Sequence, residues 1–466
     1  MRVATIGGGF AALALLHQCV AQGLALDEFR IVEPGAELGT GVAYGRAGAE
    51  ALLNTRAGNM GIDPDQPDAF AVWAGLAAAG RDSFQARRRY AAYLQDHWMR
   101  LRERAGFPVR WQRATALAVA RCDAGFAVRT STGTFTTDAL VLALGALPAP
   151  PLGMVDPLLA QRGTCVEDVW NPAWQQQVAS DAHVLVLGTG LTMVDQVQRL
   201  RARGHRGPVT ALSRRGQLPH AHAVHGVHGG ALPPALLPVL REGSLRAIVA
   251  AVTTAARSPG SDWRALLDAL RPHHRALWHR FDDAERRRFL RHLRPWWDTH
   301  RHRLAPESAA ALEQLRREGT LRIAAGQLLQ ARAAGDRIAV RVRHRGETRP
   351  REMEVDLLLR ATGFCLDVVR GGSELLGGLL QAGLASADPL GLGLCADAGY
   401  RSLGADGTAV PSLYVLGPLL AGRHWEATAV PDIRDDARAL ARCLSALSPR
   451  RCADPPAACD AGPDGR

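Results

Sequence analysis

The chain has 466 residues, 47% of them hydrophobic, which is enough for two or three domains with well-filled cores. The chain has no lysine, and the arginines behind its net charge of +11 are spread along it, so neither a Schiff-base lysine nor a nucleic-acid partner is expected. No run approaches the roughly 20 apolar residues of a membrane span, and no leader-like segment precedes the first apolar strand, so we expect a cytoplasmic protein without membrane contact.

A glycine-rich turn follows the first predicted strand and opens an Ala- and Leu-rich helix. In this turn Gly7 and Gly9 permit a sharp bend and let a pyrophosphate approach the helix N-terminus, while Ala12 is small enough for close helix packing. The next predicted strand ends at Glu33, at about the spacing where a carboxylate accepts hydrogen bonds from an adenosine ribose. The segment therefore predicts a dinucleotide site that suits FAD.

Two stretches beyond this unit, residues 38–44 and 53–60, are dense in small and polar residues. Such segments suit a loop against a flat cofactor, and we expect Gly41 and Asn54 to contact it. A strongly apolar strand then ends in a glycine turn followed by a cluster of prolines, which indicates a crossover between domains. The first part of an FAD-binding domain is accordingly placed at residues 1–150.

The order of strand, glycine turn and helix recurs at residues 183–203, with Gly188 and Gly190 in the turn. The strand that follows this helix ends in Arg214 and Arg215 instead of an acid. Guanidinium groups at a ribose edge suit a 2′-phosphate better than a free hydroxyl, which favours NADPH. If these arginines are ordinary surface cations, NADH remains open.

Neither a redox-active dithiol nor a metal site is expected. The eight cysteines include no C-x-x-C pair, which a disulfide reductase built on two nucleotide domains would need. Histidines crowd one short segment, but their spacing matches no zinc-protease pattern, no acid lies nearby, and the glycines and prolines after them indicate a mobile loop. These histidines are His220, His222, His225 and His228.

An insert rich in Arg, His and Trp, at about residues 230–315, is expected to form helices inside an NAD(P)-binding domain of residues 151–350. A last strand then leads into Thr362 and Gly363, in an Ala-Thr-Gly turn of the kind that links the nucleotide domain back to the flavin domain. A plain strand-end turn is the alternative explanation.

Residues 351–447 are expected to complete the FAD-binding domain, and the Pro- and Ala-rich tail of residues 448–466 to be disordered. The predicted fold class is α/β, with two dinucleotide-binding Rossmann-like domains, for FAD and for NAD(P), and a helical insert in the second.

These motifs resemble those of a bacterial family of FAD/NAD(P)-binding proteins that includes FAD-dependent urate hydroxylases and aspartate N-monooxygenases. The resemblance covers nearly the whole chain. It rests on the two glycine turns and on further segments, namely Gly39-Thr40-Gly41-Val42-Ala43-Tyr44, Leu53-Asn54, Ser213-Arg214-Arg215-Gly216, Trp296-Trp297-Asp298-Thr299-His300-Arg301-His302-Arg303 and Ala361-Thr362-Gly363.

The resemblance implies a monooxygenase that consumes NADPH or NADH and molecular oxygen. Hydride passes to FAD, the reduced flavin adds oxygen, and the resulting C4a-peroxyflavin gives its distal oxygen to an electron-rich small molecule. The short length, without an extra substrate domain, favours urate, which would become 5-hydroxyisourate, and arginines would hold its anion.

No side chain stands out as an acid or base, as expected when the flavin supplies the chemistry. We expect Tyr44 and Asn54 beside the flavin ring, and His302, Arg303 or Trp425 beside an anionic substrate. The alternative explanations are that Asn54 only caps a turn, that Tyr44 belongs to the core and that the tryptophans of the insert serve packing. One alternative function is N-hydroxylation of an amino acid or amine. A further alternative, of a different class, is a non-catalytic nucleotide-responsive redox sensor or partner-binding protein. The oligomeric state stays open.

Overall fold

The computed structural model describes residues 1–224 and 231–447. Two histidines of the predicted loop, His225 and His228, and the predicted tail lie outside the described residues. The strands are β1 (Arg2–Ile6), β2 (Glu28–Val32), β3 (Val109–Gln112), β4 (Ala116–Cys122), β5 (Gly125–Thr130), β6 (Gly133–Thr137), β7 (Ala139–Leu142), β8 (Cys165–Val166), β9 (Val184–Leu187), β10 (Val209–Ser213), β11 (Leu321–Ala334), β12 (Arg337–His344), β13 (Arg351–Val355), β14 (Leu357–Arg360), β15 (Arg401–Leu403) and β16 (Ala409–Val415).

The α-helices alternate with these strands in the Rossmann-like parts of the chain and follow one another without strands in the insert. They are α1 (Phe10–Ala21), α2 (Gly41–Gly45), α3 (Ala69–Trp73), α4 (Arg87–Arg104), α5 (Pro157–Gln161), α6 (Leu191–Ala202), α7 (Leu236–Glu242), α8 (Leu245–Arg257), α9 (Trp263–Leu270), α10 (His274–Arg280), α11 (Asp283–Arg288), α12 (Arg294–Arg301), α13 (Pro306–Arg317), α14 (Glu374–Gln381) and α15 (Val430–Leu447).

Six strands form the sheet of the first domain, in the order β15-β16-β7-β1-β2-β3. All neighbours pair in parallel except β15 and β16. Strand β7 is an unbroken apolar run and is buried throughout, as expected for a central parallel strand covered on both faces. Helices α1 and α15 enter this core, as do Phe126 and Val128 of the three-stranded antiparallel sheet β4-β5-β6.

Seven strands form the sheet of the second domain, in the order β13-β12-β11-β10-β9-β14-β8. Strands β8, β14, β9, β10 and β11 pair in parallel, and β12 and β13 continue the sheet as antiparallel strands. The predicted fold class, α/β with two Rossmann-like domains, is thus confirmed. The second sheet continues past the predicted domain end at residue 350, because β14 pairs with β9 up to Arg360.

The chain passes between the two sheets twice, and the two connecting segments run side by side. The backbones of Leu147 and Cys365 exchange two hydrogen bonds of 2.9 Å each. The Arg360 guanidinium also donates to the carbonyl oxygen of Ala149, at 3.2 Å. The proline cluster predicted to mark a crossover lies in the first of these segments.

The helical insert lies between β10 and β11 in sequence but packs against the first domain. Leu266 and Leu270, four residues apart on α9, are both buried, as the helical period predicts. They belong to a hydrophobic cluster with Trp278 that also includes Ala421 from the first domain. Because the insert reaches across in this way, it can form one wall of a site whose other walls belong to the flavin-type domain.

Across residues 1–224 and 231–447, no helix is both long and apolar enough to cross a lipid bilayer. Over the same residues, no three His, Cys, Asp or Glu side chains are grouped as metal ligands would be.

Candidate functional site

The first glycine turn leaves a space that side chains would fill. Gly7 has φ +101°, and a Cβ there would lie 2.2 Å from the carbonyl oxygen of Ala143, so this position requires glycine. The nearest described atom to a Cβ on Gly9 would be the Cα of Gly41, at 3.7 Å. Gly9 and Gly41 face each other at the N-terminus of α1, and no side chain caps that end of the helix. This gap fits a pyrophosphate bound by backbone N–H groups.

The Glu33 carboxylate stabilises this turn by two hydrogen bonds. Its Oε2 accepts a hydrogen bond from the backbone N–H of Gly8, and its Oε1 accepts one from Gly35, both at 2.8 Å. Each carboxylate oxygen has a further lone pair, so the predicted ribose contact is chemically compatible with these two bonds. Ala12 is fully buried, consistent with close packing of the helix on the sheet.

The second domain repeats the same construction. Gly188 has φ +111°, and a Cβ there would lie 2.2 Å from the carbonyl oxygen of Ala361. No described atom lies within 4 Å of the Cβ position at Gly190, which precedes α6. The residues present therefore fit a dinucleotide in each domain.

The arginine pair predicted to bind a phosphate lies beside the second turn. Thr189 donates through Oγ1 to the carbonyl oxygen of Gln217 at 2.5 Å and lies 2.9 Å from Ser213 Oγ, which accepts from the backbone N–H of Gly216 at 3.0 Å. Arg214 is exposed and Arg215 is half-buried. Within the described part of the chain neither forms an ion pair, so both are free to meet an anionic ligand.

The Ala-Thr-Gly turn comes directly after β14. Arg360 Nε donates to Thr362 Oγ1 at 3.2 Å, and Gly363 adopts φ +85°. Phe364 is 47% exposed and lies parallel to the Trp170 ring, with 6.3 Å between centroids. The predicted cofactor contacts of Thr362 and Gly363 stay a prediction.

A cavity of about 490 Å³ lies between the first domain and the insert, and we call it the flavin cavity because its lining includes Tyr44 and Asn54, the two residues expected beside the flavin ring. The N-terminus of the 18-residue helix α15 contributes to its wall. Its lining residues are Ala43, Tyr44, Leu53, Asn54, Thr55, Arg56, Asn59, Met60, Asp82, Arg87, His222, Ala223, Asp268, Arg271, Arg301, His302, Arg303, Thr428, Ala429, Val430 and Pro431.

Charged side chains dominate the polar part of this wall. Four of its five arginines form ion pairs, Arg87 with Asp195 at 3.1 Å, Arg301 with Glu426 at 3.0 Å, Arg271 with Asp432 at 2.7 Å, and Arg303 with Asp268. Arg303 is only 3% exposed, and its Nε has no hydrogen-bond partner in the described structure. Arg56 donates to the carbonyl oxygens of Asp82 and Ala223, at 2.5 and 2.7 Å. The cavity therefore offers both cations and carboxylates.

His222 is held as a neutral ring. Its Nε2 lies 3.0 Å from the carbonyl oxygen of Asn54, which can only accept, so Nε2 carries the proton and Nδ1 keeps a lone pair. Burial, together with the charge of Arg303, lowers the pKa of His222 to about 3. His222 therefore adds a hydrogen-bond acceptor to the cavity at neutral pH, and not a charge.

Arg87 joins the cavity to the second domain. Its Nε donates to the carbonyl oxygen of Leu52 at 3.1 Å, and Nη2 lies 3.1 Å from Oδ2 of Asp195 on α6. Burial raises the pKa of Asp195 to about 6, although Arg87 and Arg199 both oppose that rise.

Of the five residues expected beside the ring or the substrate, four line the flavin cavity. They are Tyr44, Asn54, His302 and Arg303. Burial raises the pKa of Tyr44 to about 12, so its phenol is neutral. Trp425 instead packs inside the insert cluster, 4.9 Å from the Trp278 ring and 5.2 Å from Phe289. The roles of all five stay predictions.

His222, Asp268 and Arg271 line this cavity, although no pattern in the sequence assigns them to it. His222 belongs to the histidine-rich segment, whose spacing bears only on metal binding. Asp268 and Arg271 lie at the end of α9, and their convergence with residues 54–60 depends on how the insert packs. No local spacing signals such a contact, because the segments are far apart in the chain.

Comparison with known proteins supports the dinucleotide sites. Residues 4–147 match a family of FAD-NAD(P)-binding domains. No curated protein matches the chain.

Solved structures share the fold over almost the whole chain. An ornithine N-hydroxylase of Kutzneria sp. 744, which holds reduced FAD, NADP+ and L-ornithine, superposes with a TM-score of 0.64 at 16% identity, covering 96% of this chain and 99% of that one. L-lysine 6-monooxygenase of Pseudomonas syringae gives 0.61 at 18% identity, with 96% and 98% covered. An FAD-bound cadaverine monooxygenase of Erwinia amylovora gives 0.63 at 14% identity, with 96% and 94% covered.

At these identities the likeness establishes the fold and not the substrate. Residues 4–147 match the FAD-NAD(P)-binding type, in agreement with the predicted cofactors, and almost the whole chain shares its fold with these three enzymes.

Proposed function

We propose that the protein is an FAD-dependent monooxygenase that consumes NAD(P)H and oxygen and N-hydroxylates the amine of an amino acid. The observation that carries the proposal is the flavin cavity, in which cationic and anionic side chains converge at the N-terminus of α15 between the first domain and the insert. The fold shared with ornithine, lysine and cadaverine hydroxylases supports the same reaction class.

The chain's own residues would bind and orient the two cofactors. The gap between Gly9 and Gly41 would hold the FAD pyrophosphate, and Glu33 the adenosine ribose. The positive end of α15 would stabilise negative charge on the ring system. Bound flavin would supply the hydride acceptor and the oxygen-activating centre.

An amino acid fits the charges of the cavity because it carries both signs. Its carboxylate would bind Arg303, whose buried Nε still has a free donor, or Arg56 beside it. Its amine would lie near Asp82 or Asp268. Neutral His222 and neutral Tyr44 would accept or donate a hydrogen bond without adding charge. Together these side chains would hold the amine near the ring and keep bulk water out.

Urate is the second candidate, because the cavity arginines would also hold its anion. The order of the two candidates reverses the expectation from the sequence. The three enzymes compared above act on amines, and none of them is a urate hydroxylase.

A substrate screen tests both candidates. We expect the purified protein to be yellow and one amino acid to accelerate NAD(P)H oxidation, with matched oxygen consumption and a product 16 mass units heavier that reacts as a hydroxylamine. Urate should leave the rate unchanged. Loss of urate absorbance with stimulated turnover would instead favour urate hydroxylation.

Two outcomes would contradict the proposed function. NAD(P)H oxidation that no amine or urate stimulates, with hydrogen peroxide as the sole product, would indicate an oxidase. A chain that binds FAD but accepts no hydride from either nicotinamide nucleotide would support the sensor alternative.

A further inference from the structure

A second cavity, of about 720 Å³, lies on the outer side of the first domain. We call it the outer cavity. Its walls come from α1, α3, α4 and the segment of residues 62–68, and it shares no lining residue with the flavin cavity. None of the residues assigned to either cofactor lines it, so the proposed function leaves it unexplained.

Asp63, His17 and His97 lie in a row on the wall of the outer cavity, and their contacts indicate which ring nitrogen of His97 is a hydrogen-bond acceptor. His17 Nε2 lies 3.3 Å from Oδ2 of Asp63, and His17 Nδ1 lies 3.0 Å from His97 Nε2. This contact does not have hydrogen-bond geometry, but a lone pair on Nε2 would face a carboxylate oxygen, so charge repulsion favours the tautomer of His17 with its proton on Nε2 and an acceptor at Nδ1. His97 must then donate through Nε2, which leaves a lone pair on its Nδ1. Burial lowers the pKa of both rings, that of His97 to about 4, so both are neutral at pH 7.

Aromatic rings form the flat part of the wall. Trp73 is half-buried and lies nearly parallel to Phe70, with 6.3 Å between centroids. Tyr93 meets Trp73 edge-on at 5.7 Å. The Trp73 indole is also held by a hydrogen bond from Nε1 to Asp96 Oδ2, at 2.7 Å. A fixed indole of this kind suits stacking of another planar ring.

Among the described residues that line the outer cavity, one cation has no carboxylate partner. The lining carboxylates are all in ion pairs, Asp63 with Arg438, Asp68 with Arg81 and Asp96 with Arg100. Arg104 is exposed and has no carboxylate partner in the described part of the chain. It follows His97 on α4 by seven residues, so the two lie on one helix face about 10 Å apart along the axis.

We propose that the outer cavity is a second ligand site, for an aromatic acid that carries a hydroxyl or ring N–H group at the end opposite its carboxylate. The donor group binds His97 Nδ1, the ring stacks on Trp73, and the carboxylate pairs with Arg104. The site does not depend on the flavin reaction.

Calorimetric titration of the FAD-loaded protein tests the proposal with three probes. 4-Hydroxybenzoate carries all three features, benzoate lacks the donor, and phenol lacks the carboxylate. We expect 4-hydroxybenzoate to bind about tenfold more tightly than either, since one such hydrogen bond or ion pair changes affinity by about that factor.

Variants assign each contact. His97→Phe should weaken 4-hydroxybenzoate binding to the level of benzoate and leave benzoate unchanged. Arg104→Gln, at an exposed position where folding is not at risk, should weaken both acids and leave phenol unchanged. Arg102→Gln, on the same helix end but outside the cavity lining, is the matched control. Flavin absorbance and circular dichroism verify each fold.

Equal affinities for the three probes, affinities that neither variant changes, or no heat of binding at millimolar 4-hydroxybenzoate would each overturn the proposal. None of these outcomes bears on flavin reduction, so the proposed function would stand independently.

Discussion

Arg303 is nearly inaccessible to solvent, yet it donates to a single carboxylate and keeps an unbonded Nε. A buried guanidinium with a free donor is costly unless a ligand completes its hydrogen bonds. The arginine pair at the second domain is the opposite case, since Arg214 is exposed and its free donors are solvated until an anion arrives. Loss of Arg303 and loss of the arginine pair should therefore change different kinetic constants.

Arg303→Gln should raise the KM for the substrate found in the screen by about tenfold or more, because a buried charge-assisted hydrogen bond is lost. Anaerobic flavin reduction by NAD(P)H should stay within about twofold of wild type. Steady-state and stopped-flow kinetics separate the two effects. Arg294→Gln, in the insert but outside the cavity lining, is the control. An unchanged KM would remove Arg303 from substrate binding.

The double change Arg214→Ser and Arg215→Ser should weaken NADPH about tenfold or more and leave NADH unchanged, since only NADPH carries the 2′-phosphate. The ratio of kcat/KM for the two nucleotides measures this preference. Arg203→Ser, at the exposed C-terminal end of α6, serves as control. If the ratio did not change, these arginines would be ordinary surface cations.

At the scale of elements, the same combination of strand, glycine and helix is built twice. Gly7 lies against Ala143 and Gly188 against Ala361, each at the end of a central parallel strand. Since both approaches would place a Cβ 2.2 Å from a carbonyl oxygen, the turns tolerate no side chain. The two turns can therefore be damaged separately.

Gly7→Ala should yield protein without bound FAD, whereas Gly188→Ala should retain FAD but lose nucleotide-dependent flavin reduction by about tenfold or more. The reason is that each clash displaces one helix N-terminus from its pyrophosphate. Gly23→Ala, with φ +64° and no described atom within 4 Å of the Cβ position, controls for backbone strain alone. Absorbance at 450 nm and stopped-flow reduction give the readouts. Loss of FAD in Gly188→Ala would argue against this division of roles.

The elements of both domains could be predicted because their signals are local. The glycine turns, the apolar strands and the arginine pair after β10 can each be recognised within a segment of about 30 residues. Strand β10 itself lies where the pattern predicts it. The lining of the flavin cavity could not be predicted from local signals, because Asp268 and Asn54 come together only through the packing of the insert on the first domain. Trp425 shows the converse, since its neighbours in sequence suggest the site while its ring joins a hydrophobic cluster.

At the scale of the molecule, ion pairs join the first domain to the second. Arg87 meets Asp195, Glu50 meets Arg199 at 3.1 Å, and Arg46 meets the exposed Asp168. Asp195 is the buried member whose ionisation is disfavoured, and its pKa lies near 6. The net charge of this contact between the domains therefore changes at a pH near 6, where the stability of the protein is easily measured.

Asp195 binds its proton more tightly in the folded than in the unfolded chain, so its contribution to stability falls as pH rises from about 4 to about 6. Asp195→Asn removes this loss. The stability of the variant relative to wild type should therefore improve by about 1 kcal/mol between pH 5 and pH 7.5, measured by denaturant unfolding at saturating FAD. Asp168→Asn, in an exposed pair, should change stability by less than about 1 kcal/mol at both pH values. A pH-independent difference for Asp195→Asn would contradict the assignment.

The paired backbones of Leu147 and Cys365 also have a mechanical consequence. We expect a two-stranded connection of this kind to allow bending about the line between the domains more readily than twisting. Under the proposed function, such bending would bring a nicotinamide bound to the second domain toward the flavin along one path, so that it met the same face of the flavin ring at every turnover.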